Sequence, residues 1–350
     1  MIDIINKDLS PLSQLSLDLI ESILHFLPPK SLARFKSVSK RWYSLISSPD
    51  FIKTHIQKLN KNNPNPDPTH LILRSYVVDD DSLYSLDIKQ LSTQTTPTTV
   101  TAKPLDLHLP KPRLRLLGSC NGLVLACDAS YNLYLVNPTT KKTLKVLVGK
   151  QWATYGFGYD SSKDDYKILL IPDFGIMPNP DFNPDNKFVV HLGYSNNNLH
   201  FIVGRDLEIS IAAFCLADEE FHVIEFPKIV KHDDKTCSEL LTLGEKLAAV
   251  ICVRCHDRIA DYELWVMEEY GVPNSWKKLC DIENDIDLDD EFFASISNRD
   301  ILVGNSDSDE ICIYNMDESR YTSVKVKRCS QDFLVEGVYV ESFESLERFC

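Results

Sequence analysis

"YLVNPTTKKTLKVL" (residues 134–147) decides how the chain is read. Alternating side chains mark a half-buried strand, Asn137 and Pro138 mark a turn, and "TLKVL" resumes the alternation as a second strand. The opening element is an aromatic residue, any residue, an apolar residue and a usually polar one. It recurs as "YSLD" from Tyr84, "YLVN" from Tyr134, "FCLA" from Phe214, "WVME" from Trp265 and "YNMD" from Tyr314, with successive starts 50, 80, 51 and 49 residues apart. Four of the five lead into a turn and a further strand, as in "DEEFHVIEF" and "ESRYTSVKV".

A period of about 50 residues is the kelch-like spacing of a β-propeller blade. The gap of 80 leaves room for a shortened blade within "YKILLIPDFGIMPNPDFNPDNKFVV" (166–190). The expectation is therefore an all-β ring of about six blades, one of them eroded. About twenty short alternating runs, with no long helix between them, agree with that reading. A propeller shows only short sheet edges and presents loops on two faces, which suits the recognition of proteins.

The front of the chain follows a different period. "DLIESILHFL" (18–27) places Leu17, Ile20, Leu24 and Leu27 on one helical stripe and Leu19, Ile23 and Phe26 on an adjoining one. Asp18 is the expected N-cap, and Pro28 with Pro29 halts the helix. Short amphipathic segments follow, with Leu32, Phe35 and Val38, then Trp42, Leu45 and Ile46, then Phe51, Ile52, Ile56 and Leu59. A block of ~45 residues has too much surface for its volume to bury all of these internally. Part of its apolar surface is left for another protein or for the β part. Lys30, Arg34, Lys36, Lys40 and Arg41 surround it, so an acidic partner fits.

The 350 residues are 43% hydrophobic and 25% charged, enough for a full core. The net charge of −14 is uneven: residues 1–60 carry eight Lys/Arg against five Asp/Glu, and the rest carry 29 against 46. An acidic β part argues against nucleic acid as partner. The run "DIENDIDLDDE" (281–291) reads as a solvated loop. No stretch reaches the roughly 18 apolar residues of a membrane span, and "MIDIINKDLSPLSQ" lacks the regions of a signal peptide. Cytoplasm or nucleus is the expected location. The ten scattered cysteines are expected as free thiols there.

Several motifs point elsewhere and fail on context. "CVRCH" (252–256) has the spacing of a c-type haem attachment site, but it closes the strand-like run "KLAAVICV". Cys252, Cys255 and His256 are one ligand short of a structural zinc site. "YGFGYD" offers Gly156 and Gly158 without a third glycine or a following helix, so close packing or a bulge is the reading. No P-loop, H-E-x-x-H or G-x-S-x-G sequence occurs. His200 in "NLHFIV" reads as a packed strand residue. No catalytic residue, metal or cofactor is expected.

Two resemblances cover nearly the whole chain. "LSLDLIESILHFLPPKSLARFKSVSKRWYSLISSPDFIKTHI" (15–56) resembles the F-box. "GSCNGLVLAC" (118–127), "NPTTKKTLKVL" (137–147), "YGFGYDSSKDDYKILLI" (155–171), "AAFCLADEEFHVIEFP" (212–227), "ELWVMEEYGVPNSWKKL" (263–279) and "VYVESFESL" (338–346) resemble, in order, the F-box-associated (type 1) interaction domain of plant F-box proteins, including the F-box/kelch-repeat and S-locus F-box-like groups. Three positions depart from the pattern: Ser16 replaces a usual proline, Ser22 a usual glutamate, and the Pro/Asn-rich run 172–186 a usual Ser-Trp-Arg segment.

The resemblance implies an α+β multidomain chain: a flexible N-terminus (1–14), a helical F-box (15–59), a linker (60–69) and the F-box-associated β-propeller-like domain (70–350). It implies a non-catalytic substrate-recognition subunit of an SCF (Skp-cullin-F-box) ubiquitin ligase. Leu17, Leu19, Ile20, Ile23, Leu27, Leu32, Val38 and Trp42 would contact the Skp-type adaptor, and through it cullin. The β domain would hold an unidentified target protein for ubiquitination and proteasomal degradation. A scaffold whose F-box has drifted from adaptor binding is the alternative.

Overall fold

The computed structural model describes residues 17–62, 68–75, 82–91, 99–107, 109, 114–150, 153–172, 194–195, 197–205, 208–226, 235–255, 258–283, 293–303, 309–327, 329 and 333–349. Most of the acidic run 281–291, all but the first residue of the run 172–186, and the segment 1–14 lie outside the described residues.

Six sheets stand around a ring. From the inner strand outward, the first blade has Phe333–Tyr339, His70–Ser75, Leu83–Asp87 and Lys103–Pro104. The second has Arg115–Cys120, Leu123–Cys127, Asn132–Asn137 and Lys142–Val148. The third is the hairpin Ala153–Asp160 and Asp165–Pro172. The fourth has Tyr194–Ser195, Asn198–Arg205, Glu208–Cys215 and Phe221–Ile224. The fifth has Lys235–Leu243, Lys246–Cys255, Arg258–Met267 and Trp276–Glu283. The sixth has Phe293–Ser295, Asp300–Val303, Glu310–Asn315 and Arg320–Lys327, with Thr99–Thr101 added at its edge. Among the described residues the ring thus holds five full blades and one reduced to a hairpin, the eroded blade implied by the gap of 80.

The sequence repeat has a structural meaning. Tyr84, Tyr134, Phe214, Trp265 and Tyr314 all lie in the third strand of a full blade. From there two of them meet an aromatic directly opposite on the outer strand: Phe214 with Phe221 at 4.9 Å and Tyr314 with Tyr321 at 5.1 Å between ring centroids. Such cross-strand pairs stabilise the outer part of a sheet.

Each gap between neighbouring blades is filled by its own apolar cluster, and this seals the ring. The cluster between the second and first blades includes Tyr134 and Tyr339, and that between the third and second includes Phe157 and Leu125. Trp276 and Ile211 belong to the cluster between the fifth and fourth, and Tyr262 and Ile301 to that between the fifth and sixth. Leu302 and Phe333 belong to the cluster between the sixth and first. Between the third and fourth blades the cluster has, among the described residues, five buried members, including Phe201 and Leu216. A polar clamp reinforces it. The Lys167 ammonium pairs with Asp160 at 3.1 Å and Glu219 at 2.7 Å and donates to the Leu216 carbonyl. Burial pushes the Asp160 carboxyl up, but hydrogen bonds from Ser162, from Lys167 and from two backbone N–H groups outweigh it and hold it at about 2.

The ring closes in both directions. The late strand Phe333–Tyr339 pairs antiparallel with His70–Ser75 in the first blade, and the early strand Thr99–Thr101 pairs parallel with Arg320–Lys327 in the sixth.

The helical block has four helices: α1 (Leu17–Leu24), α2 (Pro29–Phe35), α3 (Lys40–Ser47) and α4 (Pro49–Asn62). Asp18, expected as the N-cap, lies within α1 instead, because the helix already includes Leu17. Ser39 caps α3 by accepting from the Trp42 N–H at 3.1 Å, and the Ser48 hydroxyl accepts from the Phe51 N–H at 3.2 Å at the start of α4. Four short helices in sequence allow one small core, made of Leu24, Leu32, Ile46, Phe51, Ile52 and Ile56. α4 continues to Asn62, into the stretch 60–69 expected as linker.

Candidate functional site: the outward face of the helical block

The two stripes of α1 have opposite fates. Leu24 is buried in the block's core, with Ile20 and Leu27 packed against it. Leu19, Ile23 and Phe26 turn outward and are 47%, 47% and 79% exposed. Val38, in the turn after α2, and Tyr43 on α3 extend the apolar exposure. Beside Phe26 stands Lys58, whose ammonium lies 5.7 Å from its ring centroid. Exposed Arg34, Lys40 and Arg41 add positive charge to α2 and α3.

The eight expected adaptor positions therefore divide. Leu19, Ile23 and Val38 are exposed, while Ile20, Leu27 and Trp42 are half-buried. Trp42 sets its edge against Phe35 at 5.3 Å between centroids. Leu32 is fully buried among the block's own side chains, because the last turn of α2 faces inward there. In the chain alone Leu32 thus lies beneath the face and not on its surface. The Leu17 side chain lies outside the described residues. Phe26 and Tyr43 were not among the eight expected positions but are exposed beside them, and the spacing Leu19, Ile23, Phe26 already placed the first of them on the outward stripe.

Beneath the face lies a stack of three rings. His25 is parallel to Phe51 at 4.3 Å, and Phe51 to His55 at 6.1 Å. Both histidines are buried, and the His55 Nε2 bonds to the Leu27 carbonyl at 2.9 Å. Burial lowers the pKa of His25, with Lys58 and His55 adding to the effect and Glu21 opposing it. Burial also lowers that of His55, against the Leu27 bond and with Lys58. Since the unfolded chain keeps the ordinary value near 6.5, it binds more protons than the folded block below that pH. The block is expected to be stable at pH 7.5 and to lose stability as pH falls through 6.5, by about 1.4 kcal/mol per unit of depression. Urea unfolding followed by the helical circular-dichroism signal at pH 7.5 and 5.5 checks this. His25→Phe should flatten part of the dependence.

The ring offers no comparable chemical centre among the described residues. His200 is buried, bonded through Nε2 to the Tyr270 hydroxyl at 2.7 Å. Cys252 is buried within its strand, and His256 lies outside the described residues. No group of three or more His, Cys, Asp or Glu side chains converges among the described residues. No described helix is long and apolar enough to cross a membrane.

Comparison with known proteins agrees with this division. The F-box domain family matches residues 12–54, and the family described as F-box associated beta propeller domain matches residues 74–346. The Arabidopsis thaliana F-box protein CPR1 is 23% identical, over 93% of this chain and 88% of its own length. An F-box/kelch-repeat protein of the same plant is 29% identical over 77% of this chain and 79% of its own. A putative Arabidopsis F-box protein is 34% identical over 74% of this chain and 60% of its own.

Proposed function

Because the chain belongs to the F-box proteins that carry an F-box associated β-propeller domain, we propose that it is the target-recognition subunit of an SCF ubiquitin ligase. The outward stripe Leu19, Ile23 and Phe26 carries the reading: it is the apolar surface that the helical block leaves to another protein. A Skp-type adaptor covers it, with Val38, Trp42 and Tyr43 at its margin, and cullin joins through the adaptor. The propeller binds a target protein in the cytoplasm or nucleus. The chain itself makes and breaks no bonds. Its contribution is proximity, raising the effective concentration of target lysines at the ubiquitin-conjugating enzyme.

Isothermal titration of the full chain with a purified Skp-type adaptor tests this. Equimolar binding with Kd at or below about 1 μM is expected for a specific interface. No heat and no co-elution would overturn the ligase role and favour the scaffold reading. Ser22 motivates that second reading, since it is exposed on α1 where the family usually has glutamate.

A further inference from the structure

The helical block's core contains one residue that the block does not supply. Phe343 is buried among Leu24, Leu32, Ile46, Phe51, Ile52 and Ile56, nearly 300 residues away in sequence. The Lys36 ammonium lies over its ring, 4.6 Å from the centroid.

The residues on either side of Phe343 are fixed to the ring. Asn137 Nδ2 on the second blade donates to the Ser342 carbonyl at 3.2 Å and to the Glu344 carbonyl at 2.9 Å. The Ser342 hydroxyl donates to the Asn121 carbonyl at 2.6 Å, and the Tyr166 hydroxyl donates to Glu344 at 3.1 Å. Gly122 is held at φ +79°, and a Cβ there would lie 2.2 Å from the Ser342 Oγ, so this approach requires glycine. Leu346 is buried in the seam of the second and third blades. A second contact joins Lys53 of α4 to Asp164 in the third blade's turn, and Tyr159 donates to the same carboxylate.

We propose that residues 340–349 form a bracket that holds the helical block at a fixed angle to the ring, with Phe343 as the positioning residue. Domains joined through a small polar interface move relative to one another by default. Here a large aromatic side chain anchored by the ring completes the other domain's core, so tilting the block would have to open that core. Resting on the proposed adaptor docking, the inference adds that the bound target is presented in one direction.

The test is the distance distribution between nitroxides on two introduced p-acetylphenylalanines, at exposed Ala33 in α2 and exposed Lys277 on the fifth blade. It is measured in the full chain, free and with a purified Skp-type adaptor. One narrow distribution is expected in both states, broadened roughly twofold by Phe343→Ala and restored by Phe343→Leu. A broad distribution in the unaltered chain, or one that Phe343→Ala leaves unchanged, overturns the bracket. If Phe343→Ala loses its helical signal, Lys53→Glu carries the same comparison, because it breaks the second contact outside the block's core. A narrow distribution without adaptor binding would support the bracket while overturning the adaptor reading.

Discussion

Replacing Lys167 by alanine lowers the stability of the ring by roughly 3 kcal/mol, the range for removing one partner of a buried ion pair. The Asp160 side chain that it pairs with is fully buried, so the substitution strands a carboxylate out of reach of water. Hydrogen bonds from Ser162 and the backbone soften the loss without replacing the positive charge. Among the described residues the seam it serves has an apolar cluster of five buried members, so the ion pair is a substantial part of what joins these two blades there. A calorimetric midpoint lower by about 6–12 °C is the observable. The companion pH effect has a defined sign. Asp160 is held at about 2, below the ordinary value of 3.8, so its contribution is present above pH 4 and is lost as pH falls towards 2. In Asp160→Asn the acid-labile part should disappear.

Changing Leu19, Ile23 and Phe26 together to alanine should reduce adaptor affinity by about 100-fold or more, since each buried anchor of an interface contributes on the order of 1–2 kcal/mol. The same substitutions should lower the unfolding free energy by no more than about 2 kcal/mol, because Leu19 and Ile23 are already half exposed and Phe26 is mostly exposed. Leu32→Ala reverses the pattern. Its side chain has no exposed surface, so the change opens a cavity costing about 2–5 kcal/mol, and any loss of adaptor binding follows from unfolding. Titration calorimetry beside urea denaturation separates the two. Equal adaptor affinity for the triple variant and the unaltered chain would remove the outward stripe from the interface.

How much of this was legible beforehand depends on sequence distance. The third-strand motif from Tyr84 to Tyr314 repeats locally, so one chain sufficed to reveal the blades and the short one between Tyr134 and Phe214. The stripes of α1 were equally plain, but their periodicity cannot say which faces inward; α3 and α4, by packing against Leu24, decide that. Phe343 gave no sign of its role, because a single aromatic residue that crosses from one domain to another belongs to no period. Lys167 was similarly silent: Asp160 is on its own hairpin, but Leu216 and Glu219 reach it only once two blades have closed together.

The two-way closure of the ring has a consequence in time. Ribosomes add about 5–20 residues per second, so the strand Phe333–Tyr339 follows His70–Ser75 by roughly 15–50 s. Throughout that interval the first blade has an open inner edge, able to pair with strands of other chains. The core of the helical block also waits, because Phe343 is made roughly 280 residues after that block. Until the stretch from Phe333 to Phe343 has been synthesised, neither the ring nor the helical core is complete, and chaperones that shield strand edges have their longest opportunity during that delay.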